Sequence, residues 1–373
     1  MAPTDVLVIG GGIVGQISAI RLAEAGARVT LVDAAVNAGS TANAGSLHVQ
    51  MQSRFMRLYP DQVPNIEASL PFYKAAAEEW VALDAELGPF ELVRKGGLML
   101  AESAEQMRFL EGKSRREAAK WLRVDLLDRA ALDRIAPWLG PQIVGAELCH
   151  DEGKLNPLVA NARLGVRARA LGVSLVQDWI VGLEVSASGI VAVGERATYR
   201  ADRVVIAAAW GAGALVPDAR IPTRQEPLHM NITETASAQI SHLVQHAERS
   251  ITLKQFSSGQ IVIGGGWEAR SEGERAVPRV LADSLLGNVA LAGRLAPAIG
   301  GLRVIRTWAG MNTTVDGASV IGPLPGAERV VMAVPGDAGY TLGPLVAQMA
   351  AGCVTGAAQP HDLAQFSPVR FLK

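Results

Sequence analysis

Cysteine is scarce in this chain: Cys149 and Cys353 are the only two in 373 residues. Two are too few for a disulfide framework, and no CxxC or Cys/His spacing marks zinc or an iron–sulfur cluster, so no metal site is expected. Charge of one sign is equally lacking. The 35 basic and 36 acidic side chains nearly cancel, which argues against a nucleic-acid binder or a polybasic membrane protein. No segment approaches the ~20 uninterrupted apolar residues of a membrane helix, and the N-terminus lacks the basic region and cleavage site of a signal peptide. A soluble, cytoplasmic protein is the expectation. With 49% apolar and 19% charged residues, the composition excludes a disordered chain, and the length suggests two or three domains. Glycine is what the chain has in surplus: 39 residues, above the usual ~7%.

The first glycines fall in a pattern. Asp5 to Ile9 is a continuous apolar run of the kind that forms a strand buried on both faces, and it leads into Gly10-Gly11-Gly12-Ile13-Val14-Gly15. Ile13, Ile17, Ile20 and Leu22 then follow helical spacing as far as Gly26, and Arg28 to Asp33 reads as a second strand. In such a unit Gly10 permits the tight turn, Gly12 lets the backbone approach a pyrophosphate, and Gly15 lets helix and strand pack closely. The N–H groups at the helix start, around Ile13 and Val14, offer partial positive charge to phosphates. Asp33, followed by Ala34, closes the second strand where a carboxylate accepts hydrogen bonds from an adenosine ribose. The motif indicates a dinucleotide and does not separate FAD from NAD. The next stretch is Gly39-Ser40-Thr41-Ala42-Asn43-Ala44-Gly45-Ser46-Leu47-His48. It is polar, small and bounded by glycine, suited to wrap a ligand with backbone donors.

These residues resemble the FAD-dependent family that includes glycine oxidase, sarcosine oxidase and D-amino-acid oxidase. In that family a segment of this type runs along the pyrophosphate toward the isoalloxazine ring, which implies that Ser40, Thr41, Asn43, Ala44, Gly45, Ser46 and Leu47 hold the cofactor. The run GSTANAGSLHVQMQSR is similar to the B subunits of opine (octopine and nopaline) oxidases and to D-hydroxyproline dehydrogenases. The resemblance extends over almost the whole chain. At Ala201 to Ala209 the family shows AD, two valines and AAG before Trp-Ser; here Ala209 replaces the glycine and Trp210-Gly211 is displaced by one. Ala208, Ala209 and Gly211 are expected near the cofactor, with Val181 facing the adenine. Near the C-terminus, Trp308-Ala309-Gly310-Met311 corresponds to the family's WxG sequence and places Gly310 and Met311 at the flavin. The loop Gly336-Asp337-Ala338-Gly339-Tyr340-Thr341 is expected to open a helix from Pro344. Its N-terminus, with Gly336, Gly339, Tyr340 and Thr341, would face the flavin pyrimidine and stabilise the negative charge that develops there on reduction.

Elsewhere the apolar spacing over 65–87 reads as an amphipathic helix, and Leu92 to Leu100 as a strand. Ser103 to Gln106 is a capping box, and Asn156-Pro157 starts a helix that stops at Gly172. Val173–Val176, Ile180–Val185 and Val330–Val334 are further strands. Leu228 to Thr235 alternates, and Ile251–Phe256 pairs with Gln260–Ile263 across Ser257-Ser258-Gly259. The resulting fold class is α/β: a Rossmann-type FAD-binding domain (1–85, 145–215 and 306–373) with an interleaved α+β substrate domain (86–144 and 216–305) built on an antiparallel sheet.

The resemblance implies oxidation of a C–N bond next to a carboxylate, by hydride transfer to flavin N5 and hydrolysis of the imine. Such a step depends on a neutral amine and on placement, and no residue stands out as a catalytic acid or base. A substrate carboxylate calls for Arg, Lys or Tyr. The glycine oxidase arginine that follows the WxGL-type sequence is replaced here by Asn312, which makes Tyr340 the candidate in its place, unless it serves loop packing. His48 is a candidate for flavin or substrate contact, against a structural hydrogen bond. Lys254, Arg224 and Arg306 are candidates for a second carboxylate, against surface or ion-pair roles, whereas His229, His242 and His246 read as ordinary polar residues. No cysteine lies near the WxG sequence, so FAD is expected to be noncovalent. In the resembling opine oxidases a partner subunit with its own flavin or iron–sulfur centre takes the electrons, and a partner of that kind is expected here. Alternatives at this point are an NAD(P)-dependent dehydrogenase and a nonenzymatic flavin-binding subunit.

Overall fold

The structure, a computed structural model, describes residues 4–36, 39–237 and 239–372. Its first sheet has six strands in the order 320–324, 327–334, 203–206, 6–9, 29–33 and 174–177. The strands from 327–334 to 174–177 pair in parallel, and 320–324 closes one edge antiparallel. Side chains of the central strand Val6–Ile9 alternate between two cores. Val6 and Val8 pack under helices 13–24, 63–87, 157–170 and 339–355, while Leu7 and Ile9 pack under a three-stranded antiparallel layer, 180–186, 189–194 and 198–201. Burial on both faces is what the unbroken apolar run requires.

The second sheet has eight strands in the order 304–314, 224–235, 260–264, 252–255, 243–246, 97–101, 145–149 and 124–128. All neighbours are antiparallel except 243–246 against 97–101. Helices 129–135 and 282–295 bury their apolar sides against it. The sheet departs from the sequence-based boundaries at two places. Strands 145–149 and 304–314, placed at the edges of the dinucleotide domain, are hydrogen-bonded into this second sheet. The joint at 305/306 falls inside strand 304–314, and the one at 144/145 at the start of strand 145–149, and composition marks neither.

The local signals explain most elements. Ser103 Oγ accepts from Gln106 N, and Asn156 Oδ1 accepts from Leu158 N and Val159 N, so both helices start where their caps stand. The strand expected over 92–100 is shorter, Gly97–Ala101, because Gly96 turns the chain with φ +86°. The last helix begins at Gly339, five residues before Pro344. Proline lacks the N–H that would bond the carbonyl one turn back, that of Tyr340, and the Trp80 indole donates to that oxygen instead, at 2.9 Å. The proline therefore sits inside the helix rather than at its start.

Candidate functional site

The two sheets enclose a cavity of about 480 Å³. One end of it lies at the carboxyl edge of the parallel sheet. Gly10 has φ +106°, and a Cβ there would stand 2.4 Å from the Ala207 carbonyl oxygen; at Gly15 it would stand 1.7 Å from the Gly10 oxygen. The turn and the helix that follows are thus packed to a density only glycine allows. Helix 13–24 has Gly12 at its N-cap with no side chain capping it, so N–H groups at its start face the cavity, apart from Ile13 N, which donates to Ser40 Oγ at 2.8 Å. Asp33 lies against the Gly11 backbone at the same wall. A bare helix terminus, a glycine turn and a carboxylate at the second strand end fit the pyrophosphate and ribose of a dinucleotide.

Segment 39–48 forms the adjoining wall and is locked from the far end of the sequence. Trp308 Nε1 donates to the Ala42 oxygen at 2.9 Å, Gly310 lies against Ala42 and Gly39 against the Met311 oxygen. Asn43 Oδ1 accepts from Gly45 N at 2.7 Å, and Thr341 Oγ1 accepts from His48 N at 2.9 Å. Gly10, Gly12, Ile13, Val14, Asp33, Ala34, Ser40, Asn43, Ala44, Ser46, Val181, Ala208, Ala209, Gly211, Gly310, Met311, Gly336, Gly339, Tyr340 and Thr341 all border the cavity. Four expected cofactor residues stand off the wall. Gly15 serves helix packing, Gly45 makes a turn against the Leu155 oxygen, Leu47 belongs to the core, and Thr41 does not border the cavity.

The substrate candidates separate. His48 borders the cavity with its Nδ1 3.8 Å from the buried Glu152. Asn312 borders it too, and its amide nitrogen donates to Glu226 Oε2 at 3.0 Å and to Asp337 Oδ1 at 2.6 Å. Lys254 is fully buried behind the wall, where its Nζ donates to Ser46 Oγ at 2.6 Å. Burial, with the charge of Lys154 beside it, brings its pKa down to about 7. Tyr340 does not fit the role of substrate ligand: it lies in the first turn of helix 339–355, its ring stacks on Trp80 at 5.2 Å, and its hydroxyl donates to Asn161 Oδ1 at 3.2 Å. Arg224 and Arg306 are exposed and border no part of the cavity, Arg306 lying over the Trp308 ring. His229 borders the cavity with Nε2 2.6 Å from Thr307 Oγ1, while His242 and His246 do not.

Sequence reasoning missed Arg54, Glu226 and Asp337. Arg54 enters from helix 53–58 and borders the cavity, where its guanidinium pairs with Glu226. Gly266, with φ +90°, makes the space: a Cβ there would stand 2.1 Å from Arg54 Cδ and Nε. Tyr59 donates to Glu226 Oε1 at 3.4 Å. Burial and the Glu226 charge push the Asp337 carboxyl up to about 6, against the opposing pull of Arg54. The signal for Arg54 was present in the run GSTANAGSLHVQMQSR, whose last residue it is, but nothing in the spacing shows that it turns toward Asn312.

A family model described as FAD dependent oxidoreductase matches residues 5–352. Among solved structures, the fold is similar to glycine oxidase from Geobacillus kaustophilus at 22% identity, covering 99% of each chain with a TM-score of 0.86. It is similar to L-proline dehydrogenase from P. horikoshii at 22% identity, covering 99% of this chain and 98% of the other, with a TM-score of 0.85. Iminodiacetate oxidase from Chelativorans sp. BNC1 matches at 22% identity over 97% and 98%, with a TM-score of 0.81. No curated protein matches the chain.

Proposed function

The chain belongs to the FAD dependent oxidoreductase family, with FAD as its cofactor, and from that premise we propose that it oxidises the C–N bond of an amino acid or N-substituted amino acid. Family membership sets aside the NAD(P) alternative. The chemistry that FAD supplies when bound is a two-electron acceptor at N5 for the hydride leaving the substrate carbon. The amine loses a proton in the same oxidation, a C=N bond forms, and water then hydrolyses it.

The observation that carries this reading is Arg54. Where the resemblance expects an arginine, the chain has Asn312, and a guanidinium reaches the same neighbourhood from helix 53–58, meeting the Glu226 that Asn312 also touches. A guanidinium at a cavity wall is the side chain suited to orient a carboxylate by two parallel hydrogen bonds. The substrate carboxylate would share Arg54 with Glu226, and Asn312 keeps Glu226 in place. The Gly10–Gly12 turn, Asp33 and the start of helix 13–24 would hold the dinucleotide. The first residues of helix 339–355, Gly339 to Thr341, border the cavity, and a helix N-terminus favours negative charge near it. The names of the similar structures, glycine oxidase, proline dehydrogenase and iminodiacetate oxidase, support an amino-acid-type substrate.

The test is anaerobic reduction of the flavin, screened over D-amino acids, sarcosine, D-hydroxyproline and opines. Bleaching by members of this panel, weakened in Arg54→Met, is the expected result; a flavin that no compound bleaches would point to a nonenzymatic flavin-binding subunit. The FAD is held noncovalently in this reading, since neither Cys149 nor Cys353 borders the cavity; acid precipitation should release it. The likeness of residues 39–54 to opine oxidase B subunits supports a catalytic subunit that passes electrons to a partner with a second flavin or an iron–sulfur centre. Among the described residues no group of His, Cys, Asp and Glu is arranged to hold a metal ion, and no helix is long and apolar enough to cross a membrane. Rapid peroxide formation by the chain alone would remove the need for that partner.

A further inference from the structure

Asp337 borders the cavity and keeps part of its surface open to it, yet orienting a carboxylate gives it no task. Its carboxylate accepts from Asn312 Nδ2, and that same nitrogen also serves Glu226. The charged and titratable groups facing it are Glu226, Arg54 and His48, with the phenols of Tyr59 and Tyr73 nearby. Arg54 and Glu226 cancel as an ion pair, so ionised Asp337 leaves the cluster one negative charge in excess. A partly buried carboxylate with a shared donor and a like charge beside it is poorly compensated, and a cation placed against it relieves the deficit.

We propose that Asp337 is the specificity-determining group of this cavity: it receives the nitrogen of the incoming substrate in its cationic form, which sheds its proton before the hydride step, and it turns away molecules, opines included, that bring a second carboxylate to that end. The proposal rests on the amino acid reading above. With a monocarboxylic amino acid the carboxylate shares Arg54 with Glu226 and the cation meets Asp337, so the cluster stays at one negative charge in excess. A dicarboxylic one places its extra anion beside Asp337 and Glu226, where like charges repel across a water-poor wall.

Sarcosine and iminodiacetate form the matched probes, because they share the secondary amine and one carboxylate and differ by the second. Reduction rate constant divided by dissociation constant is measured for each by anaerobic mixing with the FAD-loaded protein. The wild type should favour sarcosine by tenfold or more at pH 7.5, and Asp337→Asn should shrink that ratio at least tenfold, with iminodiacetate gaining. Should the variant fail to load FAD, the wild type alone decides: its ratio should fall as pH drops below about 6, where Asp337 takes up a proton. If neither probe bleaches the flavin, their binding, read from the perturbed flavin absorbance, should follow the same order. A wild-type ratio near one, an unchanged ratio in Asp337→Asn, a ratio flat with pH, or binding of neither probe overturns the role of Asp337. The amino acid reading itself falls only if the whole wider panel leaves the flavin oxidised.

Discussion

Replacing Gly266 by alanine should act as a lesion in Arg54 without touching Arg54. The new Cβ would stand 2.1 Å from Arg54 Cδ and Nε and 2.9 Å from its Cζ, inside any tolerable contact, so the side chain has to leave. The left-handed backbone at φ +90° adds about 1–2 kcal/mol of strain for a residue with a Cβ. Displacing the guanidinium removes a hydrogen bond between charged groups, about 1.5–3 kcal/mol, which at about 1.4 kcal/mol per decade is roughly a 10- to 150-fold loss of carboxylate affinity. Flavin loading should survive, because Gly266 lies on the substrate side of the cavity beside Arg54. The assay is flavin bleaching under anaerobic conditions as a function of the concentration of whichever panel compound reduces the wild type, with bound flavin and thermal midpoint as controls. A double variant adds the sharper check: in an Arg54→Met background, Gly266→Ala should cost the backbone strain and almost nothing further in ligand affinity. Ligand affinity within twofold of wild type in Gly266→Ala, or full additivity in the double variant, would refute the reasoning.

Four further outcomes are expected. Gly15→Ala should yield protein that binds no flavin, judged by absorbance after purification, since its Cβ would stand 1.7 Å from the Gly10 carbonyl oxygen and backbone has nowhere to move. Lys254 has its folded pKa lowered to about 7 from an ordinary 10.5, so the unfolded chain binds the extra proton between those values and wild-type stability should rise with pH across that window. In Lys254→Met the slope in urea unfolding should drop by up to one proton, about 1.4 kcal/mol per pH unit, and equal slopes would contradict the burial argument. Lys113, fully buried, pairs with Glu117 and Glu147 at 2.8 Å each; Lys113→Met should cost about 3–5 kcal/mol by leaving the buried Glu147 carboxylate without its cation. Glu117→Gln should cost only about 1 kcal/mol, because burial already pushes that carboxyl well up.

Local sequence carried the parts of the molecule whose partners are neighbours in the chain. The strand–turn–helix–strand unit of residues 5–33 was legible because Gly10, Gly12 and Gly15 act within a few residues of one another. The caps at Ser103 and Asn156 were legible for the same reason. Tyr340 was misplaced because Pro344 reads as a helix start; the Trp80 indole that takes over the Tyr340 carbonyl is 260 positions away, with no local trace. The polar cluster was invisible on the same grounds. Arg54, Glu226, Asn312 and Asp337 come from a short helix, two strands of the second sheet and a loop of the first; the pairing of 224–235 with 304–314 sets Glu226 opposite Asn312, and tertiary packing brings in the other two. Lys254 was named by residue type as a candidate for a second carboxylate, but it lies off the cavity wall behind Ser46, a matter of packing depth that composition does not show.

The hairpin-like pair 224–235 and 304–314 also bears on how this protein could be recombined. Gly310 packs against Ala42 in the dinucleotide wall, and Asn312, two residues on along the same strand, holds Glu226 and Asp337. A chimera that grafts a relative's second sheet onto this scaffold would import the residue packed on Ala42 together with the one that holds the polar cluster, and a crossover between them would have to fall within three residues of a single strand. On the proposed reading, substrate preference in this architecture should respond to point changes at Arg54, Asp337 and Gly266 and resist exchange of whole modules.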